Sequence, residues 1–214
     1  MIRIEKLTVR FGRTVALREI DLLLEPGIVG MFGPNGSGKS TLLRTLAGLL
    51  KPASGRVTFG GAPVRASDEG WRRRLGYAGH QPGLYEELSV RENLALFARL
   101  NGARDGAVDE VLESIGLNDR AGDRVSTLSA GLQRRVGVAR AMVHEPQILL
   151  LDEPYANLDD DAADRISAMV RAWDSGDRLA LVATHGARRL KAFAGHGLVL
   201  RQGTVATYRA YEHA

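Results

Sequence analysis

Gly33-Pro34-Asn35-Gly36-Ser37-Gly38-Lys39-Ser40-Thr41 fills every fixed position of the phosphate-loop pattern G-x-x-x-x-G-K-S/T. What flanks it matters as much. Ile28-Val29-Gly30-Met31-Phe32 is a short apolar run with the character of a buried strand, and Thr41 to Leu49 has helical spacing around a closing Gly48. Strand, glycine-rich turn and helix start form an anion site. Glycines let successive backbone N–H groups curl around a phosphate, and the helix N-terminus adds partial positive charge. In this pattern Lys39 reaches the terminal phosphates and the Ser40 hydroxyl ligates Mg²⁺.

The 214 residues suffice for one sizeable domain. With 44% hydrophobic and 25% charged residues the composition is that of an ordinary soluble globular chain. A net charge of +4 does not by itself imply a nucleic-acid partner. The basic residues are almost all arginine, the lysines being Lys6, Lys39, Lys51 and Lys191. Cysteine is absent, which excludes disulfides, thiolate metal sites and cysteine nucleophiles. No apolar run has transmembrane length, and Met1-Ile2-Arg3-Ile4-Glu5 does not open a signal peptide. The expectation is a chain that stays where it is made and reaches a membrane only through a partner.

Outward from the loop, Ile2 to Val9 and Val15 to Leu22 alternate as half-buried strands. Phe11-Gly12-Arg13 lies between them, its aromatic ring either a packing residue or a platform for a nucleotide base. Arg56 to Phe59 is a strand stopped by Gly60-Gly61, and Gly76 to Pro82 is a strand end followed by a loop. Ser89-Val90-Arg91-Glu92 is a capping box ahead of an amphipathic helix, and Val108 to Ile115 is a second such helix closing on Gly116. Helices over 130–144 and 160–173 alternate with very apolar strands over 147–152 and 179–184. A short helix over 187–194 and strands near 198–200 and 203–205 finish the chain. The pattern predicts an α/β fold with a mostly parallel sheet covered on both faces. Residues 85–125 are expected to form a helical subdomain inserted into an α/β core of 1–84 and 126–214.

Leu149-Leu150-Leu151-Asp152-Glu153-Pro154 ends an apolar strand in two acids. A carboxylate at that place faces the crevice at the carboxyl edge of a parallel sheet. Asp152 is thereby expected beside Mg²⁺, and Glu153 as the base that polarises an attacking water. Leu128-Ser129-Ala130-Gly131, with Ser129 as an N-cap, Ala156-Asn157-Leu158-Asp159 and Thr184-His185 complete the set.

With these elements in this order, the chain resembles the nucleotide-binding subunits of ATP-binding cassette (ABC) transporters over essentially its whole length. The resemblance implies a P-loop NTPase core with an N-terminal antiparallel β portion and an inserted helical subdomain. It implies ATP hydrolysis with Mg²⁺, a dimer of nucleotide-binding subunits, homo- or hetero-, and integral membrane subunits as partners. The chain would then sit peripherally on the cytoplasmic face of a cell membrane. Carried over residue by residue, it has Phe11 stacking on adenine and Gln81 sensing the Mg²⁺ site and contacting the membrane subunit. Ser129 and Gly131 meet the γ-phosphate held by the opposite subunit, Asp159 runs along the dimer interface, and His185 holds the γ-phosphate and the attacking water.

The signature departs from the usual L-S-G-G-Q, with Ala130 in place of the first glycine and Leu132 in place of the glutamine. Two expectations follow for Leu132: a weakened contact across the dimer, or an apolar residue packed in its own helix or on a partner. Tyr77-Ala78-Gly79-His80-Gln81-Pro82-Gly83-Leu84 with Glu92-Asn93-Leu94 is similar to the ATP-binding subunits of cytochrome c maturation haem exporters. Drug and other exporters share much of it. A nucleic-acid-processing ATPase on the same cassette is expected to carry a coiled-coil insertion or two joined cassettes, and neither is present. A small-molecule kinase leaves Ser129, Asp159 and His185 unexplained. Arg72-Arg73-Arg74, Arg134-Arg135 and Arg188-Arg189 are expected to be solvated faces, and no nucleic acid is expected.

Overall fold

The computed structural model describes residues 1–65 and 67–211. Ten strands and seven helices form two sheets with helices around them among the described residues. Strands β1 (Ile2–Phe11), β2 (Thr14–Leu24), β4 (Ser54–Phe59) and β5 (Ala62–Pro63) make an antiparallel sheet in the order β2-β1-β4-β5. The larger sheet contains β3 (Gly27–Phe32), β6 (Leu75–Ala78), β7 (Ile148–Asp152), β8 (Leu179–Ala183), β9 (His196–Arg201) and β10 (Thr204–Ala210). Its order is β10-β9-β3-β8-β7-β6, parallel throughout except for the β9–β10 hairpin.

The apolar runs of β7 and β8 are continuous because both faces are covered. Leu149, Leu151, Ala180 and Val182 face one core; Ile148, Leu150, Leu179 and Leu181 face the other. The second core lies between the two sheets and takes in α1 (Lys39–Leu46) through Leu42, Leu43 and Leu46. The first takes in α3 (Val90–Asn101), α4 (Ala107–Ser114), α5 (Ala130–Met142) and α6 (Asp160–Trp173). Leu94, Leu112, Val136 and Ile166 belong to this one cluster, so the helical stretch after residue 85 buries its apolar face in the core it flanks.

Helix starts follow local chemistry. Ser89 and Glu92 form the capping box at α3, with Ser89 N–H donating to Glu92 Oε2 at 2.8 Å and Glu92 N–H to Ser89 Oγ at 3.2 Å. Gly102, at φ 69°, ends the helix in the left-handed conformation that glycine accepts without strain. Two elements lie outside the sequence expectations. Helix α2 (Glu69–Arg73) is capped by Asp68, which accepts from Gly70 N–H at 2.9 Å, and β5 is a two-residue edge strand. Trp71 of α2 is buried with its ring 5.6 Å from that of Phe59. Helix α7 (Ala187–Lys191) is shorter than expected. No described helix is long and apolar enough to cross a membrane.

Candidate active site

Register delivers four loops to one edge. Met31 of β3 pairs with Ala183 of β8, Ala183 with Asp152 of β7, and Leu151 with Ala78 of β6. The glycine-rich loop, Glu153, Thr184-His185 and Gly79-His80-Gln81 therefore all leave the sheet together at its carboxyl end. Two backbone bonds tie the ends: Glu153 N–H donates to Ala183 O at 2.8 Å, and Thr184 N–H to Met31 O at 3.2 Å.

A cavity of about 660 Å³ opens there. Its lining includes Phe11, Asn35, Gly36, Ser37, Gly38, Lys39, Ser40, Thr41, Asp152, Glu153 and His185 from the sequence-expected set. Gly33 and Pro34 lie behind it, their carbonyls accepting from Lys39 Nζ at 2.7 and 3.2 Å. Lys39 is buried, so the ammonium closes the loop from inside until a stronger acceptor competes. Gly38 caps α1 at φ 106°, where a Cβ would lie 2.7 Å from Leu17 Cδ2. Gly33 admits no Cβ either, because Leu200 O is 2.3 Å from where one would stand. Phe11 is 49% exposed at the cavity mouth, the condition of a platform rather than of a core residue.

At the acidic end, Asp152 is 2% exposed and its Oδ2 has no hydrogen-bond partner. A buried carboxylate oxygen without a partner is costly, and a hard cation is the kind of group that satisfies it. Ser37 Oγ is likewise buried without a partner. No described group of three or more histidines, cysteines or carboxylates could hold a metal alone, so an ion at this place would take its other ligands from hydroxyl, water or phosphate oxygens. Glu153 sits at φ 51°, a left-handed conformation that costs a non-glycine residue about 1–3 kcal/mol. Its Oε1 lies 3.3 Å from His185 Nε2, and its Oε2 accepts from His185 N–H at 3.3 Å. The imidazole is 52% exposed over a carboxylate that is 18% exposed, placing a donor and a base side by side at the cavity.

Ser129, Gly131 and Asp159 do not line this cavity. Ser129 caps α5, its Oγ accepting from Leu132 N–H at 3.3 Å, and is exposed. Asp159 caps α6, accepting from Ala162 N–H at 2.8 Å, and is also exposed. Gly131 is needed within its own chain, since a Cβ there would stand 2.7 Å from Asn157 O, on a residue held at φ 62°. Gln81 is exposed and outside the lining; its neighbour His80 is the residue of that loop that lines the cavity. His80 stands one position nearer the end of β6, which is the signal the sequence held.

The arginine expectation needs correcting. Arg134 is 6% exposed and donates to Gly79 O at 2.8 Å and His80 O at 2.5 Å, while Arg135 is half-buried and donates to Ile115 O at 3.2 Å. They hold backbone rather than face water. Arg72, Arg73, Arg74 and Arg188 are exposed, and Arg189 pairs with Asp160 and Asp164. The two expectations for Leu132 also part. Leu132 is half-buried against the larger core, and Gln133 spends its amide on Val125 O and Leu128 O at 3.1 and 3.3 Å. A separate cavity of about 550 Å³, lined by Asp160, Asp164, Arg171, Arg188 and Arg189 among others, contains no residue of the expected site.

Comparison with known proteins agrees with this geometry. Residues 17–156 match the family model described as ABC transporter. The chain is 42% identical over 189 residues to a cytochrome c biogenesis ATP-binding export protein of Cupriavidus necator, covering 85% of this chain and 83% of that one. It is 38% identical over 227 residues to a phosphonates import ATP-binding protein of Frankia casuarinae, covering 98% and 90%. Among solved structures, the dimeric post-hydrolysis state of the ATP-binding cassette MJ0796 bound to ADP and Pi superposes with a TM-score of 0.90 at 27% identity, over 100% of both chains. The chain belongs to the ABC transporter family, as an ATP-hydrolysing, ATP-binding domain with the α/β cassette fold.

Proposed function

We propose that this domain powers a separate integral membrane subunit from the cytoplasmic face of a membrane, hydrolysing ATP at sites completed by a second nucleotide-binding subunit. The observation that carries the reading is the division of the site. Phe11, the loop, Asp152, Glu153 and His185 share one cavity, whereas Ser129, Gly131 and Asp159 stand outside it with no phosphate of their own to meet. MJ0796, the structural relative, is described as dimeric.

The roles follow from the chemistry of each group. Phe11 stacks on the base, and the backbone N–H groups of residues 33–41 cradle the phosphates. Lys39 leaves the carbonyls of Gly33 and Pro34 for the terminal phosphates. Ser40, Asp152 and Gln81 are the residues assigned to Mg²⁺, which when bound neutralises charge on the phosphate oxygens. Glu153 accepts a proton from the attacking water, and His185, against it, donates to the γ-phosphate and orients that water. Residues 85–125 are assigned as the helical subdomain, and the exposed Gln81 just before it as a contact to the membrane subunit.

For cargo, we favour haem export in cytochrome c biogenesis. Support comes from the Tyr77 to Leu84 segment and from relatives named for that process at 42% and 41% identity. A second reading, another substrate, is favoured by the phosphonates import relative, which covers more of the chain. The test is ATPase activity of the chain reconstituted with the membrane proteins encoded beside its gene, with haem, a phosphonate, DNA or a small phosphate acceptor added. Stimulation by the membrane proteins and by haem supports the full proposal. Stimulation by a phosphonate moves the cargo assignment, and stimulation by DNA or an acceptor alone overturns it.

A further inference from the structure

Helix α5 fastens the loop after β6 at three successive turns. Arg134 donates to Gly79 O and His80 O, Gly137 packs on Pro82, and Arg140 donates to Tyr77 O and Gly83 O at 2.8 and 3.2 Å. Positions 134, 137 and 140 fall on one helical face. A Cβ at Gly137 would lie 3.0 Å from Pro82 Cβ, and one at Gly79 would lie 2.6 Å from the Tyr77 hydroxyl, so the loop has little room to shift.

Arg134 is the more buried of the two arginines, and its two carbonyl acceptors are consecutive. Its guanidinium is buried, and both of its hydrogen bonds go to main-chain carbonyls rather than to a carboxylate. Burial pushes its guanidinium below the usual arginine range, and the carboxylates of Asp152 and Glu153 across the site offset that only in part. A bidentate fork onto two consecutive carbonyls fixes the direction of the peptide between them, and therefore of the side chain that follows. That side chain is His80, which is exposed to the cavity beside Lys39, Asp152, Glu153 and His185. An imidazole in that company meets a phosphate oxygen as a donor.

We propose that His80 contacts the terminal phosphate of the bound nucleotide, and that Arg134 is the positioning residue that aims it. This rests on the assignment of the cavity to ATP made above. It adds a second imidazole, on the loop that also carries Gln81, to the one supplied by His185. It also links the helix whose N-terminus presents Ser129 to a side chain in the chain's own nucleotide site.

The experiment measures Mg-ATP and Mg-ADP affinities of the full chain in a Glu153→Gln background, where ATP persists. His80→Ala is expected to weaken ATP binding about ten- to a hundredfold, the range of one hydrogen bond to a charged group, and to leave ADP binding unchanged. His80→Gln, which keeps a donor, is expected to recover part of the loss. Arg134→Met is expected to reproduce the ATP-selective loss, and the double variant to be no weaker than His80→Ala alone. Equal effects on ATP and ADP, or no effect on either, overturn the role of His80. Additive losses overturn the role of Arg134. If Arg134→Met does not fold, Arg134→Lys takes its place, keeping the charge without the fork. The parent chain and Lys39→Ala are measured alongside: a parent that binds no ATP, or a Lys39→Ala chain that binds undiminished, refutes the cavity assignment itself.

Discussion

The phosphate loop and helix α5 hold their functional groups in place by opposite means. Lys39 bonds to carbonyls five and six residues before it in the chain, whereas Arg134 and Arg140 bond to carbonyls 54 to 63 residues away. The first arrangement is a property of nine consecutive residues and arises wherever that turn forms. The second exists only once β6, α5 and the sheet have assembled. The hold on Lys39 is local, whereas the bonds that fix the loop after β6 are long-range.

Substitutions on the two sides should therefore fail differently. The largest effect belongs to the sheet edge. Glu153→Gln is expected to keep ATP binding and to lower turnover by about 10²–10⁴, because it removes a base without disturbing the loop. Steady-state ATPase of the purified variant checks this, and near-wild-type turnover would remove Glu153 from its role.

On the α5 side, Gly131→Ala is expected to cost the isolated chain about 1–3 kcal/mol, since the added Cβ meets Asn157 O at 2.7 Å and backbone must move. Denaturant unfolding without nucleotide reads this directly. Unchanged stability would mean that Gly131 matters only across the dimer. Leu132→Gln tests the same side more gently. Leu132 is half-buried against the core, so the variant is expected to lose about 1 kcal/mol of stability without tightening an ATP-dependent dimer. A tighter dimer at unchanged stability would restore the expectation of a lost polar contact.

The smallest effect concerns His144, just past the end of α5. Burial pushes its imidazole below the usual histidine range, opposed by the bond to Leu75 O at 3.3 Å, with Arg140 lowering it further. The unfolded chain binds that proton more readily, so stability falls as pH drops through the unfolded value near 6.5 towards the folded one. His144→Gln is expected to flatten this acid limb of a melting-temperature profile. An identical limb in the variant would assign it to other groups.

The same contrast explains what the sequence disclosed. The phosphate loop, the Ser89–Glu92 capping box and the apolar runs of β7 and β8 are periodic or contiguous, so a linear reading finds them. Helix α2 escaped because its one strong determinant, Trp71 packing on Phe59, joins residues from separate elements. Arg134 looked like one of a pair of surface charges, since nothing adjacent shows that two carbonyls of a distant loop will take its donors. The left-handed backbone of Glu153 was equally hidden, because glutamate does not favour a positive φ, whereas Asn157 is of a residue type enriched there. Asp68, two residues before Gly70, was a helix-start signal that local reading could have used.

The central claim is that one chain carries two half-sites, a phosphate-loop cavity and an α5 N-terminus that serves a partner's nucleotide. Light scattering of the Glu153→Gln chain in Mg-ATP tests it most directly. The account predicts a dimer that appears with ATP and is abolished by adding Ser129→Arg, a change at an exposed cap outside the chain's own cavity. A chain that stays monomeric at every ATP concentration with its membrane partner present, or a dimer indifferent to Ser129→Arg, would contradict it.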